Sequence, residues 1–306
     1  MSQFKSLFDF LKSHPSEQDC IDYFEKLRWN DKVVSPFDPK SKVYKCAGNK
    51  HKCKNTGKYF NVKTGTIFRN SKISLQKWLW ALYLFSSNKK GVSSCQLAKH
   101  IGITQKSAWF LLHRSRYTFK HSVFIKEMLK GNVEIDETFV GGKNKNRHWN
   151  KKVPNSQGRS WKDKVPVLGI LERGGNLICQ VVPNTRQETI EPIVSVNIKH
   201  GSSVYTDEWY AYKELYKQFN HQIVNHSIKE YVNKKAHTNS IENFWSHLKR
   251  GISGIYHQVN KKHLQNYVDE FALRFNTRNY REQERFDLVL LSSIGARLTY
   301  RELVNC

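Results

Sequence analysis

The chain has 306 residues, enough for a sizeable core in two or three domains, and its 39% apolar and 13% aromatic content excludes a disordered protein. Fifty-one lysines and arginines against 26 acids leave a formal charge of +25. Solubility needs no such excess, so the expected partner is a polyanion, nucleic acid before membrane, because the basic residues are spread through folded-looking segments. No stretch reaches transmembrane length, no signal sequence stands out and the six cysteines form no regular framework. A soluble intracellular protein with free thiols is expected.

Residues 1–29 read as two short helices, broken at Pro15 and restarted by Ser16 as an N-cap. Residues 31–70 are rich in turn residues, lysine and short β-like runs, which suggests a small β-module with little core of its own. Cys46, His51 and Cys53 invite a zinc reading. A structural zinc ribbon needs four ligands, usually as two Cys-x-x-Cys knuckles, and the sequence has none: Ser35 and Asp38 stand in "SPFD", and Thr56 follows Cys53 at the knuckle spacing. Zinc is therefore not expected in this first region, 1–72.

Residues 73–120 read as a helix-turn-helix domain. In "SSCQLAKHIGITQKSAWFLLHRSR" (93–116), Leu97 and Ala98 lie on a first helix, Gly102 supplies the turn, and Thr104 caps a second helix with Ala108, Leu111 and Leu112 as its inner stripe. An ordinary helical hairpin has the same spacing. The basic excess favours DNA binding, with Gln105, Lys106 and Ser107 towards base edges and His113, Arg114 and Arg116 nearer phosphates. The preceding "ISLQKWLWALYLFSS" is the supporting helix, its Trp78 and Trp80 core residues.

Residues 125–285 alternate short β-branched runs with helices, as an α/β domain does. "VEIDETFVGG" places Val133 and Ile135 on one strand face and Glu134 and Asp136 on the other, with Glu137 turned away from Asp136. The polar loop 143–164 offers Lys143, Lys145 and Arg147 to phosphates, with Trp149 and Trp161 interleaved. A hairpin turning at Gly174-Gly175 follows, then a helix over 186–198, a strand ending on Asp207, a helix in "EWYAYKELYKQ" and a strand in "HQIVNH". Three antiparallel strands, helix, strand, helix and strand form the order of an RNase H-like domain, a mixed five-stranded sheet whose first and fourth strands are neighbours. Asp136 and Asp207 would then face one another, and such carboxylates repel unless a cation lies between them. Hard oxygen ligands select Mg²⁺ or Mn²⁺.

"HTNSIENFWSHLKRG" (237–251) supplies a third acid. Ile241, Phe244, Trp245 and Leu248 make its buried stripe, while Asn239, Glu242, Ser246 and Lys249 share another face. Glu242 would approach the aspartates, with Lys249 two turns along near an incoming phosphate. A Glu–Lys pair at this spacing is often surface decoration, but here it follows two strand-borne aspartates. Residues 286–306 read as a C-terminal tail.

"VEIDETFVGGK", "YTDEWYAY" and "HTNSIENFWSHLKRG", in that order after a helix-turn-helix, resemble the DDE transposases of bacterial insertion sequences, the ISXO-like group in particular. The resemblance runs from about residue 20 onward. It implies an α/β catalytic domain of RNase H-like fold, preceded by a helical region with a helix-turn-helix and a degenerate zinc-ribbon-like β-module. By that resemblance Asp136, Asp207 and Glu242 are the metal-binding catalytic triad, expected to hold two Mg²⁺ or Mn²⁺ ions. Lys249 matches the basic residue seven positions past the glutamate, and thirty-four residues lie between Asp207 and Glu242. Asn239 and His237 are auxiliary positions. The implied activity is cleavage at terminal inverted repeats and strand transfer into target DNA, by a homodimer or larger assembly on double-stranded DNA, in the cytoplasm and on the nucleoid. The alternatives are a nuclease on the same fold without strand transfer, and a non-catalytic helix-turn-helix regulator. Relatives often carry a cysteine-rich ribbon near the N-terminus; those cysteines are largely replaced here, so its zinc is not carried over.

Overall fold

The computed structural model describes residues 4–119, 127–142, 144–154, 156, 160, 162–224 and 237–305. The chain divides into two compact units, one of residues 1–119 with 279–306, the other of residues 120–278.

In the first unit, α1 (Leu7–Ser13) and α2 (Glu17–Trp29) separate at Pro15, and Ser16 with Asp19 forms a reciprocal cap on α2. Glu17 then caps a second helix. Its carboxylate accepts from the first amides of α3 (Leu75–Ser87), Leu75 N at 2.8 Å and Gln76 N at 2.7 Å. The β-module has strands β1 (Val43–Cys46), β2 (Lys50–Cys53) and β3 (Tyr59–Phe60), antiparallel in that order. Trp29 of α2 packs against His51 and Phe60, so the module borrows its core from a helix. At the knuckle positions, burial raises the Cys53 thiol, yet hydrogen bonds with Ser35, Ser41 and Thr56 outweigh it and bring the pKa to about 6.

Helices α4 (Ser94–Ile101) and α5 (Gln105–Tyr117) meet across a tight turn in which Gly102 has φ +61° and Thr104 caps α5. Leu97, Ala98, Ile101, Ala108, Leu111 and Leu112 are buried, as the spacing predicts. The basic end of α5 is a correction. His113, Arg114 and Arg116 are 1%, 6% and 1% exposed, so they do not face phosphates. The His113 ring packs on Trp109, Arg116 lies over Phe85, and Arg114 lies over Trp78 and Phe110 while donating to Arg69 O at 3.0 Å. Aromatic faces receive the cations and their stems, which is why charge alone misplaced them. Arg114→Ala should therefore lower the unfolding free energy by about 2–3 kcal/mol in urea titrations.

The C-terminal residues are the other correction. The sequence-based division at 285/286 falls within α9 (Glu282–Leu291), whose Phe286, Val289 and Leu290 are buried. Phe286 packs against Phe4, Phe10 and Tyr83, and the Tyr23 and Tyr83 hydroxyls donate to Asp287 and Glu282. Residues from 279 onward, including α10 (Tyr300–Asn305), thus belong to the first unit.

The second unit is a five-stranded sheet of β4 (Asn132–Val140), β5 (Val165–Glu172), β6 (Leu177–Val181), β7 (Ser203–Thr206) and β8 (Asn220–Ile223). Its order is β6-β5-β4-β7-β8, with β4, β5 and β6 antiparallel and β4, β7 and β8 parallel. The first and fourth strands are neighbours, as an RNase H-like order requires. Gly174, at φ +76°, turns the β5–β6 hairpin, and α6 (Gln187–Asn197) crosses from β6 to β7. The segment after Asp207 is a 3₁₀ helix, Tyr210–Lys217, not the expected α-helix; its Tyr212 amide bonds Trp209 three residues back. Of "HQIVNH", only residues up to 224 are described.

Both sheet faces are covered. On one, Val133, Ile135, Leu168, Ile170 and Val204 pack with α6 and the 3₁₀ helix. On the other, Val167, Leu171, Leu177 and Cys179 meet α7 (Asn239–Gly251) and α8 (Leu264–Asn276). A Cβ on Gly251 would fall 2.1 Å from the Phe271 ring, so these two helices approach over a glycine. Among the described residues no helix is long and apolar enough to cross a membrane.

Candidate active site

The parallel register between β4 and β7 places Glu134 opposite Tyr205. Two residues on, Asp136 and Asp207 come alongside each other, because every second residue returns to the same face. α7 lies over that face. Its Trp245 Nε1 donates to Asp136 Oδ2 at 3.0 Å, and Asp136 pairs across the ladder with Gly169. A Cβ at Gly169 would lie 2.6 Å from the Trp245 ring and 2.8 Å from Ile241, so glycine is what lets α7 settle beside Asp136. Glu242 sits on the exposed side of the same helix and accepts from Thr238 Oγ1 at 2.9 Å. Asp207 is 7% exposed and accepts from Trp209 N at 3.0 Å.

Burial, then the negative charge of Asp207, and to a lesser degree that of Glu242, push the Asp136 carboxyl up to about 7. Asp136 therefore feels both other acids, Asp207 more strongly than Glu242. Among the described residues no three His, Cys, Asp or Glu side chains are drawn close enough to enclose an ion. The donor chemistry nevertheless fits a hard divalent cation: the donors are carboxylates, and their mutual repulsion is what a cation would relieve.

Lys249 lines a cavity of about 870 Å³ at the far end of α7, together with Arg147, Asp163, His257 and Lys261. Arg147 Nη2 lies 3.6 Å from buried Asp163 Oδ2, so this candidate phosphate contact is engaged within the protein. Lys145 is exposed, and Lys143 lies outside the described residues. Asn239 is exposed as the first residue of α7, whereas His237 Nδ1 lies 3.3 Å from Glu134 Oε1. In the first unit Gln105 and Lys106 are exposed and Ser107 is half-buried at the start of α5.

Sequence reasoning missed Glu134, Arg173 and Gly169. Glu134 carried a signal, since it shares a strand face with Asp136 and is 0% exposed. Arg173 and Gly169 looked like turn and strand residues; their roles depend on α7, about 70 residues away in sequence.

The sheet order and the aspartates at neighbouring strands define the class, a mixed α/β domain with RNase H-like strand order and an acidic centre. The chain belongs to the ISXO2-like transposase family: residues 128–276 match the ISXO2-like transposase domain, and a transposase-like protein of Haemophilus influenzae is 35% identical over 104 residues, 34% of this chain and 83% of that one. A protein in transposable element ISH50 of Halobacterium salinarum is 27% identical over 277 residues, 86% of this chain and 92% of that one. A solved Mos1 strand transfer complex shares 12% identity over 68% of this chain and 75% of that chain, with a TM-score of 0.29.

Proposed function

We propose that this protein is a transposase that binds the ends of a DNA element, cuts them and joins them to target DNA. The observation that carries the reading is geometric: β4, which bears Asp136, runs parallel to β7, which leads into Asp207, and Trp245 of the helix that bears Glu242 donates to Asp136. The three acids would hold two Mg²⁺ or Mn²⁺ ions, which would supply the Lewis acidity for attack on phosphorus by water and by a 3′-hydroxyl. The chain's own contribution is placement. β4 would hold Asp136 and the end of β7 would hold Asp207 on a rigid sheet, α7 would bring Glu242, and the Trp245 bond would orient Asp136. Lys249 would bind a phosphate beside the site. Gln105, Lys106 and Ser107 at the start of α5 would read base edges, with the +25 charge providing phosphate affinity. His237, directed at Glu134, is assigned no proton transfer. Acting on two ends would call for a dimer or larger assembly on DNA.

Incubating protein, Mg²⁺, labelled terminal-repeat DNA and a target plasmid tests this reading. Wild type should join ends to the plasmid, while Glu242→Ala should join at least about 1000-fold fewer and bind end DNA as well as wild type. Cut ends that never join would instead identify a nuclease. End binding without cutting, by both proteins, would identify a regulator.

A further inference from the structure

Beneath the acids lies a buried ion pair that the chemistry above does not use. Glu134 is 0% exposed on β4. Its Oε2 accepts from the Ser240 and Ile241 amides of α7 at 3.0 Å each, and its Oε1 accepts from Ser240 Oγ at 3.0 Å and Arg173 Nε at 2.6 Å. Arg173, from the β5–β6 turn, also donates to His237 O at 2.6 Å and lies 4.2 Å over the Tyr205 ring of β7. The Tyr205 hydroxyl in turn donates to Asn132 Oδ1 of β4 at 3.0 Å.

We propose that Glu134 and Arg173 are positioning residues that set the spacing of the three acids, an inference that rests on the functional reading above. The pair grips all three acid-bearing elements close to their acids. Glu134 is two residues before Asp136, Tyr205 two before Asp207, and Ile241 immediately before Glu242. The negative charge also sits at the positive end of α7, where free amides need an acceptor, so the helix start is pinned to the sheet by charge as well as by hydrogen bonds. A buried pair of this kind adds little stability over an apolar pair, but it fixes one geometry. That geometry places Glu242, whose helix is tied to β4 at its start through Glu134 and further along through the Trp245–Asp136 bond.

Glu134→Gln keeps the shape and removes the charge. Hydrogen–deuterium exchange of peptides covering 238–243 should become about ten-fold faster in this variant, while peptides of the first unit stay at wild-type rates. At saturating end DNA, kcat for strand transfer should fall about 100-fold with KM within two-fold of wild type. The charge-reversed pair Glu134→Arg with Arg173→Glu should not recover either property, because it sets a cation against the positive end of α7. If Glu134→Gln does not fold, Ser240→Ala removes one bond at a partly exposed position and should give the same pattern at about five-fold. Wild-type exchange at 238–243 in the variant that folds, or full rescue by charge reversal, would overturn the proposal. Wild-type protein that neither cuts nor joins DNA would sink the functional reading alone, since the exchange result stands without it.

Discussion

Asp136→Asn is expected to lose at least about 1000-fold in strand transfer and yet to melt at a higher temperature than wild type in metal-free buffer. The two effects share a cause. Burial and the charge of Asp207 hold the Asp136 pKa near 7, against an ordinary value of 3.8. An acid whose pKa is raised by folding destabilises the fold once it ionises. Its contribution is absent below about pH 4, grows between pH 4 and 7, and is fully present above pH 7. The full shift would correspond to about 4 kcal/mol, but the side chain is partly exposed and solvent screening reduces this to about 2 kcal/mol. Removing the charge should then raise Tm at pH 8 by about 4–8 °C with chelator present, and by almost nothing at pH 4. In Mg²⁺ the order should reverse, because only wild type gains stability from the bound ion. Differential scanning calorimetry at both pH values, with and without metal, checks all of this. A variant less stable than wild type at pH 8 in chelator would show that the acids are not crowded.

Gly169→Val should be the most damaging change outside the acids. A Cβ there already falls within 2.6–2.8 Å of Trp245 and Ile241, and valine adds two further methyl groups into the same space. α7 must then lift off the sheet at the point where Trp245 bonds Asp136. Overpacking of this kind costs about 1–3 kcal/mol, and a displacement near 1 Å at the site costs about 100-fold in rate. DNA end binding, which the functional reading assigns to the first unit, should stay within two-fold of wild type in a gel-shift titration. Gly169→Ala should fall between that variant and wild type, and Gly254→Ala, where a Cβ meets nothing within 4 Å, should leave the rate within two-fold of wild type. Equal losses in Gly169→Val and Gly254→Ala would remove the argument for close approach.

The elements that carry the acids were legible because their patterns are local. Alternation put Glu134 and Asp136 on one face of β4, the strand read as ending on Asp207 is β7, which stops one residue earlier at Thr206, and steps of three and four separated Glu242 from the buried stripe of α7. Strand order followed from the succession of elements. What stayed hidden depends on partners distant in sequence. Nothing in "HRSR" announces that His113, Arg114 and Arg116 meet aromatic rings from α3 and α5 rather than solvent. Likewise, residues 286–306 read as a tail, because the packing of Phe286 with Phe4, Phe10 and Tyr83 joins segments far apart in sequence. Glu134 shows the same limit. Its strand face was readable, and its partners Arg173, Ser240 and Ile241, from the β5–β6 turn and the start of α7, were not.

A crystal of wild-type protein soaked in Mn²⁺ addresses the shared metal centre directly, because manganese scatters anomalously and carboxylate oxygens bind it at about 2.2 Å. The anomalous map should show manganese ligated by Asp136, Asp207 and Glu242, with the peak lost in Asp207→Asn crystals. Manganese bound elsewhere, or a centre left empty at millimolar Mn²⁺ while the three acids stay apart, would contradict the account.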